Sequence, residues 1–531
     1  MASRVLVSDT LSDAGLATLR DAPGIEVVYQ PGLAEAELAA AIGAFDGLVI
    51  RSGSKVTAKV IEAAKRLKVI GRAGIGVDNV DVPAASKQGI VVMNTPTGNA
   101  VTTAEHALAL LFSLARRTPQ ATASMKGGKW EKSKFQGREL SGKTLGVVGL
   151  GNIGRVVADR AKGLKMNVVA FDPVVTIERA SSLGVELVTL DELFARADAI
   201  TVHTPLTSQT TALVNDDTIA KMKKGVLLVN CARGGIYDEG ALLRGLESGK
   251  LGGVALDVFV EEPPGQHPLL LRDDVVCTPH LGASTEEAQE RVALEIAEQV
   301  AQYLGSGTIT NAVNVPSVSR EVAPRLRPYV NLAWRLGSFL AQVQKITPIA
   351  IEVESSGEPG DLGTAPIAAS AVAAVLERFL DARVNQVSAP HLAKERGIAL
   401  RELRSSASPA GHDALVSLRI EEADGNVARV DGTLAADGSA RLVRWGDYEL
   451  DAHLEGAIVV MLNEDRPGVI GSVGTVLGRA EINVSRLQVG VHRGSKRAAS
   501  LWSLDSALPP AVLDEIRRLP NVASALGVTL P

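Results

Sequence analysis

The sequence predicts an α/β protein built on doubly wound parallel sheets, with smaller α+β units toward its C-terminal end. Short apolar runs alternate with helix-period stretches over residues 4–71 and again over 144–285, the pattern of βα units. One strand-like run enters the glycine loop Gly149-x-Gly151-x-x-Gly154, and a helix-period stretch follows it. Beyond about residue 317 the alternation stops, and helices give way to strands joined by tight turns.

In chain order, the runs at 4–9, 25–29, 47–50 and 68–71 are separated by helical stretches such as 12–20 and 34–43, which predicts a first parallel sheet. Loops at the carboxyl ends of such strands form the usual binding crevice. Arg51-Ser52-Gly53 and residues 71–76 (GRAGIG) occupy such ends, as binding loops or as plain turns. A helix over 102–116 joins this domain to the next.

Over 144–172 the order is strand, glycine turn, helix, strand. Gly149 permits the tight turn, Gly151 lets the backbone approach a pyrophosphate, and Gly154 lets helix and strand pack closely, so the stretch reads as dinucleotide-binding rather than a structural βα turn. Asp172, ending the second strand, suits ribose hydroxyls and repels a ribose phosphate. Since 173–175 offer no cation, NAD is expected rather than NADP.

The βα alternation resumes at 198–207, 225–235, 252–264 and 275–285, whose loops carry Thr204, Arg233, Asp257, Glu262 and His280. A helical stretch over 285–304 looks like a return to the first domain, which would then be split. The expected domains are 1–97 with 284–316, 98–283, 317–453 and 454–531. The third reads as α+β, with helices near 328–343 and 366–382 and a hairpin turning at Asp424-Gly425, and it holds no catalytic constellation. The last reads as β-α-β-β-α from 456 on.

At 531 residues the chain exceeds one core and suits about three or four domains. With 46% apolar and 22% charged residues and a net charge of −5 without a long basic block, it has no sign of a nucleic-acid partner. The N-terminus MASRVLVSD lacks a charged leader followed by an apolar segment, and no uncharged apolar stretch reaches about 18 residues. Two cysteines, Cys231 and Cys277, make neither a disulfide framework nor a zinc site, so no metal and a cytoplasmic location are expected.

A nicotinamide enzyme acting on a hydroxyl needs a proton acceptor and a cation for the substrate's anionic group. His280 is the candidate acid/base, since imidazole titrates nearest neutral pH. Glu262 can pair with it and fix its tautomer, and Arg233 can grip a carboxylate bidentately. Each alone has a bland alternative: a capped strand-end histidine, a solvated glutamate, an arginine in a surface ion pair.

Together, GLGNIG with Asp172, NCARGG (230–235), ALDVF-x-x-EPP (255–264) and PHLGAST (279–285) resemble the D-2-hydroxyacid dehydrogenases. Within that family RSGSKVT (51–57), GRAGIGVDNVD (71–81), NTPTGN (94–99) and residues 121–135 resemble the long-form phosphoglycerate dehydrogenase branch. The resemblance implies a Rossmann-type domain inserted in a split flavodoxin-like substrate domain, then an intervening domain and a ferredoxin-like ACT domain. It implies NAD-dependent oxidation of D-3-phosphoglycerate, the first step of L-serine biosynthesis, with Arg233, Glu262 and His280 as the catalytic set. Cofactor contacts would come from Asn152, Ile153, Thr204, Cys231, Ala232, Arg233, Asp257, His280, Leu281, Gly282 and Ala283. Substrate contacts would come from Arg51, Ser52, Gly74 and Ile75, with Lys132 reaching a phosphate across a dimer interface.

An ACT domain implies a homotetramer with ACT–ACT contacts and L-serine as effector, held by Asn463, Asp465 and Asn483. Asn463 stands where relatives often carry His or Tyr, and Asn152 where they may carry Arg. The alternatives are a glyoxylate or hydroxypyruvate reductase of the same family and a non-catalytic NAD-sensing corepressor.

Overall fold

The computed structural model describes residues 2–316, 318, 322–380, 384–405, 411–492 and 494–530. Five parallel strands, ordered Ile25–Tyr29, Ser3–Val7, Gly47–Ile50, Val69–Arg72 and Val91–Met93, make the first sheet. Parallel neighbours require crossovers, and the crossing helices cover both faces, which is why the inner strands are apolar over most of their length. On one face, Val5, Val7, Val49 and Val69 pack with Val292, Ile296 and Val300 of the helix Glu286–Ser306. The order reverses between Ser3–Val7 and its two neighbours, so the loops at 8–12 and 51–54 open onto a switch point.

The second sheet has seven parallel strands, in the order Val275–Cys277, Leu251–Leu256, Val226–Asn230, Ala199–Val202, Thr144–Val148, Asn167–Phe171, Glu186–Leu187. Its switch point lies between Thr144–Val148 and Ala199–Val202, whose exits are the glycine loop and His203-Thr204. Two helices connect to the first sheet, Ala100–Arg116 and Glu286–Ser306, and they meet near their N-termini: Arg291 Nη1 donates to the Gly98 carbonyl at 2.9 Å.

A six-stranded mixed sheet follows, Ala399–Ser405 lying parallel to Pro348–Gly357 and the rest antiparallel through Tyr448–His453. Helices Ala323–Val343 and Thr364–Glu377 pack so closely that a Cβ at Gly337 would stand 2.6 Å from the Ala371 carbonyl oxygen. The first begins ahead of the expected 328, with Pro324 in its first turn, where no amide bond is lost, and Pro328 tolerated inside the helix. The second stops at Glu377, short of the expected 382; residues 381 and 382, like residue 317 where the third domain was expected to begin, lie outside the described residues. The hairpin does turn at Asp424-Gly425, with Gly425 at φ 85°.

The last sheet is antiparallel, ordered Val484–Val491, Arg497–Leu504, Gly456–Glu464, Val522–Leu530, with helices Val469–Arg479 and Pro510–Arg517 on one face. It corrects the expected β-α-β-β-α unit by one strand. Val522–Leu530 is built largely of small residues (VASALGVTL), which blunts the alternation that marks a strand.

Candidate active site

The glycine loop has the geometry its spacing implied. Gly149 takes φ 91°, and a Cβ there would stand 2.6 Å from the His203 carbonyl oxygen. A Cβ at Gly154 would overlap the Gly149 carbonyl, so helix Asn152–Gly163 can seat only on a glycine. Gly151 differs: a Cβ there would meet nothing within 4 Å, and as N-cap it offers no side chain to the helix's first amides. Open space faced by free amides at a helix N-terminus suits a pyrophosphate.

Around that space, Thr204 Oγ1 and His203 Nδ1 are buried without a partner among the described residues. Burial holds His203 down at about 3, so its imidazole is neutral. Asp172 Oδ2 accepts from the Leu150 amide at 2.8 Å, and Oδ1 accepts from Val174 and Val175 at 2.9 and 3.1 Å. Three amides leave this carboxylate about one lone-pair site for a hydroxyl, on the singly bonded Oδ2. Ile153 packs against the sheet's core, while the Asn152 side chain donates to the Pro96 carbonyl at 2.9 Å rather than facing the open space. These features fit a dinucleotide.

The loop after Val226–Asn230 is shaped by Asn230, a residue quoted in the motif but given no role by spacing alone. Its Oδ1 accepts from the Ala232 amide at 2.9 Å and its Nδ2 donates to the Arg233 carbonyl at 2.8 Å. Arg233 then projects with Nε donating to Asp78 Oδ2 at 2.8 Å and Nη1 to the Ala232 carbonyl at 2.6 Å, leaving Nη2 toward Gly76. Cys231 is buried beneath, and burial, with Asp257 beside it, pushes its thiol far up, so it is no nucleophile.

One strand over, Glu262 Oε1 accepts from the Phe259 amide at 3.0 Å, which turns Oε2 toward His280 Nδ1, 2.8 Å away. With Nδ1 so engaged, Nε2 is the free edge of a half-exposed imidazole. His280 has φ 56°, a left-handed conformation unusual for a non-glycine residue. Asp257 holds the turn: its carbonyl accepts from the His280 amide at 2.9 Å, Oδ1 from Leu281 at 2.7 Å, and Oδ2 from Gly282 at 2.8 Å. Burial alone would raise the Asp257 carboxyl, but hydrogen bonds from His106, Thr278 and Leu281 more than offset it and hold the group below its ordinary value. His106, Cys231 and Asp257 have ligand atoms within 4.8 Å of one another, yet the carboxylate is already saturated with donors and the thiol protonated. Ala283, half-buried, follows the buried Gly282 in the turn.

The first sheet supplies the facing wall. Asp9 Oδ2 accepts from the Arg51 and Ser54 amides at 2.6 and 3.1 Å, fixing the loop that exposes Ser52. Asn94 Nδ2 donates to the Ile75 carbonyl at 2.5 Å and the Thr95 amide to Gly74, holding the second loop. Between them stands Arg72, to which spacing assigned nothing. Burial, aided by Arg233 and Arg51, lowers it to about 10, and its Nε is buried without a partner among the described residues. Three guanidinium groups thus meet here against the carboxylates of Asp9 and Asp78.

Two expected sets lie elsewhere. Lys132 is on an exposed arm, in the short helix Lys132–Phe135, with no hydrogen bond or ion pair to a cleft residue among those described. Asn463 is next to last in the strand Gly456–Glu464 and buried, with Nδ2 donating to the Glu464 carbonyl at 2.7 Å; Asp465 bonds by its amide to Lys496, and Asn483 by its amide to Asp505.

Fold and cleft define a D-isomer specific 2-hydroxyacid dehydrogenase, and residues 108–282 match that family's NAD binding domain. Residues 325–445 match the D-3-phosphoglycerate dehydrogenase intervening domain and 457–521 the ACT domain. The D-3-phosphoglycerate dehydrogenase of Bacillus subtilis is 41% identical over 99% of this chain and 100% of its own. That of Methanocaldococcus jannaschii is also 41% identical, over 99% and 100%. Among solved structures, a protein from Thermus thermophilus has a TM-score of 0.54 at 38% identity, covering 58% of this chain and 99% of its own. A glyoxylate reductase from Paecilomyes thermophila has 0.55 at 29%, covering 59% and 98%. The chain belongs to the D-3-phosphoglycerate dehydrogenase family.

Proposed function

We propose that this chain oxidises D-3-phosphoglycerate to 3-phosphooxypyruvate with NAD, the entry step of L-serine biosynthesis. One observation carries the proposal: the His280–Glu262 pair shares a sheet edge with Arg233, opposite Arg51 and Arg72 across one cleft. When bound, NAD supplies the acceptor for the hydride that leaves the substrate's C2. The chain's own residues do the rest. His280 Nε2 takes the hydroxyl proton, and Glu262 stabilises the imidazolium through Nδ1. Arg233, steadied at Nε by Asp78, holds the carboxylate through its remaining N–H groups. A phosphate of about −1.5 to −2 charge beside a carboxylate matches a cleft with three guanidiniums against two carboxylates, and Arg51 and Arg72 are the cations it would meet.

The initial rate of NADH formation from NAD and D-3-phosphoglycerate tests this. Comparable or faster NADH consumption with glyoxylate than with 3-phosphooxypyruvate would replace the reading by that of a glyoxylate reductase. The domain division 1–97 with 284–316, 98–283, 317–453 and 454–531 belongs to the same proposal, as do cytoplasmic location and assembly into a homotetramer. Among the described residues no helix is long and apolar enough to cross a membrane. Trp130 is 80% exposed and Met125 54%, apolar surface suited to a second copy that would bring Lys132 to its cleft. L-serine is the proposed effector at Asn463, Asp465 and Asn483, and suppression of the rate by serine tests it.

A further inference from the structure

The turn that presents His280 depends on a carboxylate that never faces the substrate. Asp257 is 1% exposed and takes donors from the Thr278 hydroxyl at 2.5 Å, from Leu281 and Gly282, and from one further side chain: His106 Nε2, at 3.1 Å from Oδ1. The same nitrogen is 3.0 Å from Thr278 Oγ1. Since the carboxylate can only accept, Nε2 carries the proton and bridges both groups. Among the described residues, the side chains bonded to Asp257 are those of Thr278, at a strand end, and His106, on a helix outside the strand-end loops.

His106 lies on Ala100–Arg116, the helix through which the chain passes from the first sheet to the second. The start of that helix is pinned to the returning connection: Gly98 bonds Arg291, a Cβ at Gly98 would stand 2.6 Å from Val292 Cγ1, and Thr102 Oγ1 is 3.4 Å from Thr285 Oγ1. This region holds both crossings between the sheets, so any change in cleft opening pivots near it. About one turn further along the helix, the His106 imidazole reaches Asp257.

We propose that His106 is a positioning residue, which ties the interdomain helix to the His280 turn through Asp257. Its ring nitrogen bonds Asp257 and Thr278, so it acts on His280 through the turn. Its hydrogen bond fixes the rotation of the Asp257 carboxylate, and the carboxylate holds a turn whose φ of 56° is uncommon for a non-glycine residue. This rests on the reading of His280 as the proton acceptor. A packed histidine with no such role would contribute stability alone.

The experiment compares His106→Leu, His106→Gln, His280→Ala and the double variant His106→Leu/His280→Ala in the full-length chain, recording kcat, the KM values for NAD and D-3-phosphoglycerate, and the melting temperature. A displaced general base costs turnover rather than affinity. We expect His106→Leu to lower kcat about tenfold with both KM values within about threefold. His106→Gln, whose amide can still donate to Oδ1, restores most of the rate, and the double variant is no slower than His280→Ala. Native kcat in His106→Leu would overturn the proposal. So would equal losses in the Leu and Gln variants accompanied by a fall in melting temperature, which would mark a purely structural residue. A His280→Ala variant with native turnover would instead remove the reading on which the proposal stands.

Discussion

Arg72 is costly to keep: burial, with Arg233 and Arg51 beside it, pushes it down to about 10, and its Nε is buried without a partner among the described residues. Asp9, Asp78 and the Ala73 carbonyl, which accepts from Nη1 at 3.2 Å, offset only part of that burial, and an anion of about −2 would offset more. We expect Arg72→Gln to raise the KM for D-3-phosphoglycerate more than about tenfold, with kcat within about threefold, since a charge-assisted hydrogen bond contributes about 1.5–3 kcal/mol. A steady-state titration of substrate checks it. Asp257 makes a prediction in acid. Its carboxyl is held below the ordinary value in the folded state, so the stability it contributes is present above about pH 4 and is lost as pH falls through the lowered value. Asp257→Asn is therefore expected to reduce the melting temperature at pH 7 and to flatten its decline below about pH 4, as thermal unfolding across pH would record. At this scale His280, Glu262 and Arg233 were legible because each follows an apolar run in a short motif of characteristic spacing. Arg72, Asp78, Asn230 and His106 were not. Those of Arg72, Asp78 and His106 arise from partners far away in the chain, such as Arg233 for Asp78 or Asp257 for His106, which no local spacing encodes, while Asn230 acts on the turn of its own motif, whose geometry the spacing does not spell out.

The parallel strands were readable at the scale of elements, because burial on both faces writes them as continuous apolar runs. Val522–Leu530 escaped because Ala523, Ser524, Ala525 and Gly527 interrupt its apolar alternation, and the edge strand Ala399–Ser405 because it is exposed nearly throughout. The glycine loop allows a sharper test of what its residues are for. A methyl group on Gly151 enters space the protein leaves open, whereas one on Gly154 runs into the Gly149 carbonyl. Gly151→Ala should leave the melting temperature nearly unchanged and raise the KM for NAD; Gly154→Ala should lower the melting temperature by several degrees, with a core strain of about 1–3 kcal/mol. Equal melting temperatures in the two variants would refute that division of labour.

On the scale of the whole molecule, the four sheets follow from composition and periodicity taken in order, and the break near 314–316 is visible because the α/β alternation ends there. Nothing local announces that the cleft is lined from both catalytic sheets, since that depends on how the two connecting helices set one sheet against the other. The helix Glu286–Ser306 carries a further consequence. Val292, Ile296 and Val300 complete one face of the first sheet, which Leu16 and Leu19 cover only in part, so the rest of that face stays bare while the ribosome makes the roughly 200 residues between, about 10–40 s at ordinary elongation rates. The second sheet, whose strands are contiguous in the chain, can close first, reversing the order of synthesis. A fragment ending at residue 283 should protect amides of Thr144–Val148 from hydrogen exchange far better than those of Ser3–Val7, while the full chain protects both. Equal protection in the fragment would sink this expectation. For a nascent chain, the apolar face of Ser3–Val7 is then a waiting surface, and the interval before residue 300 emerges is when a holding chaperone has most to cover.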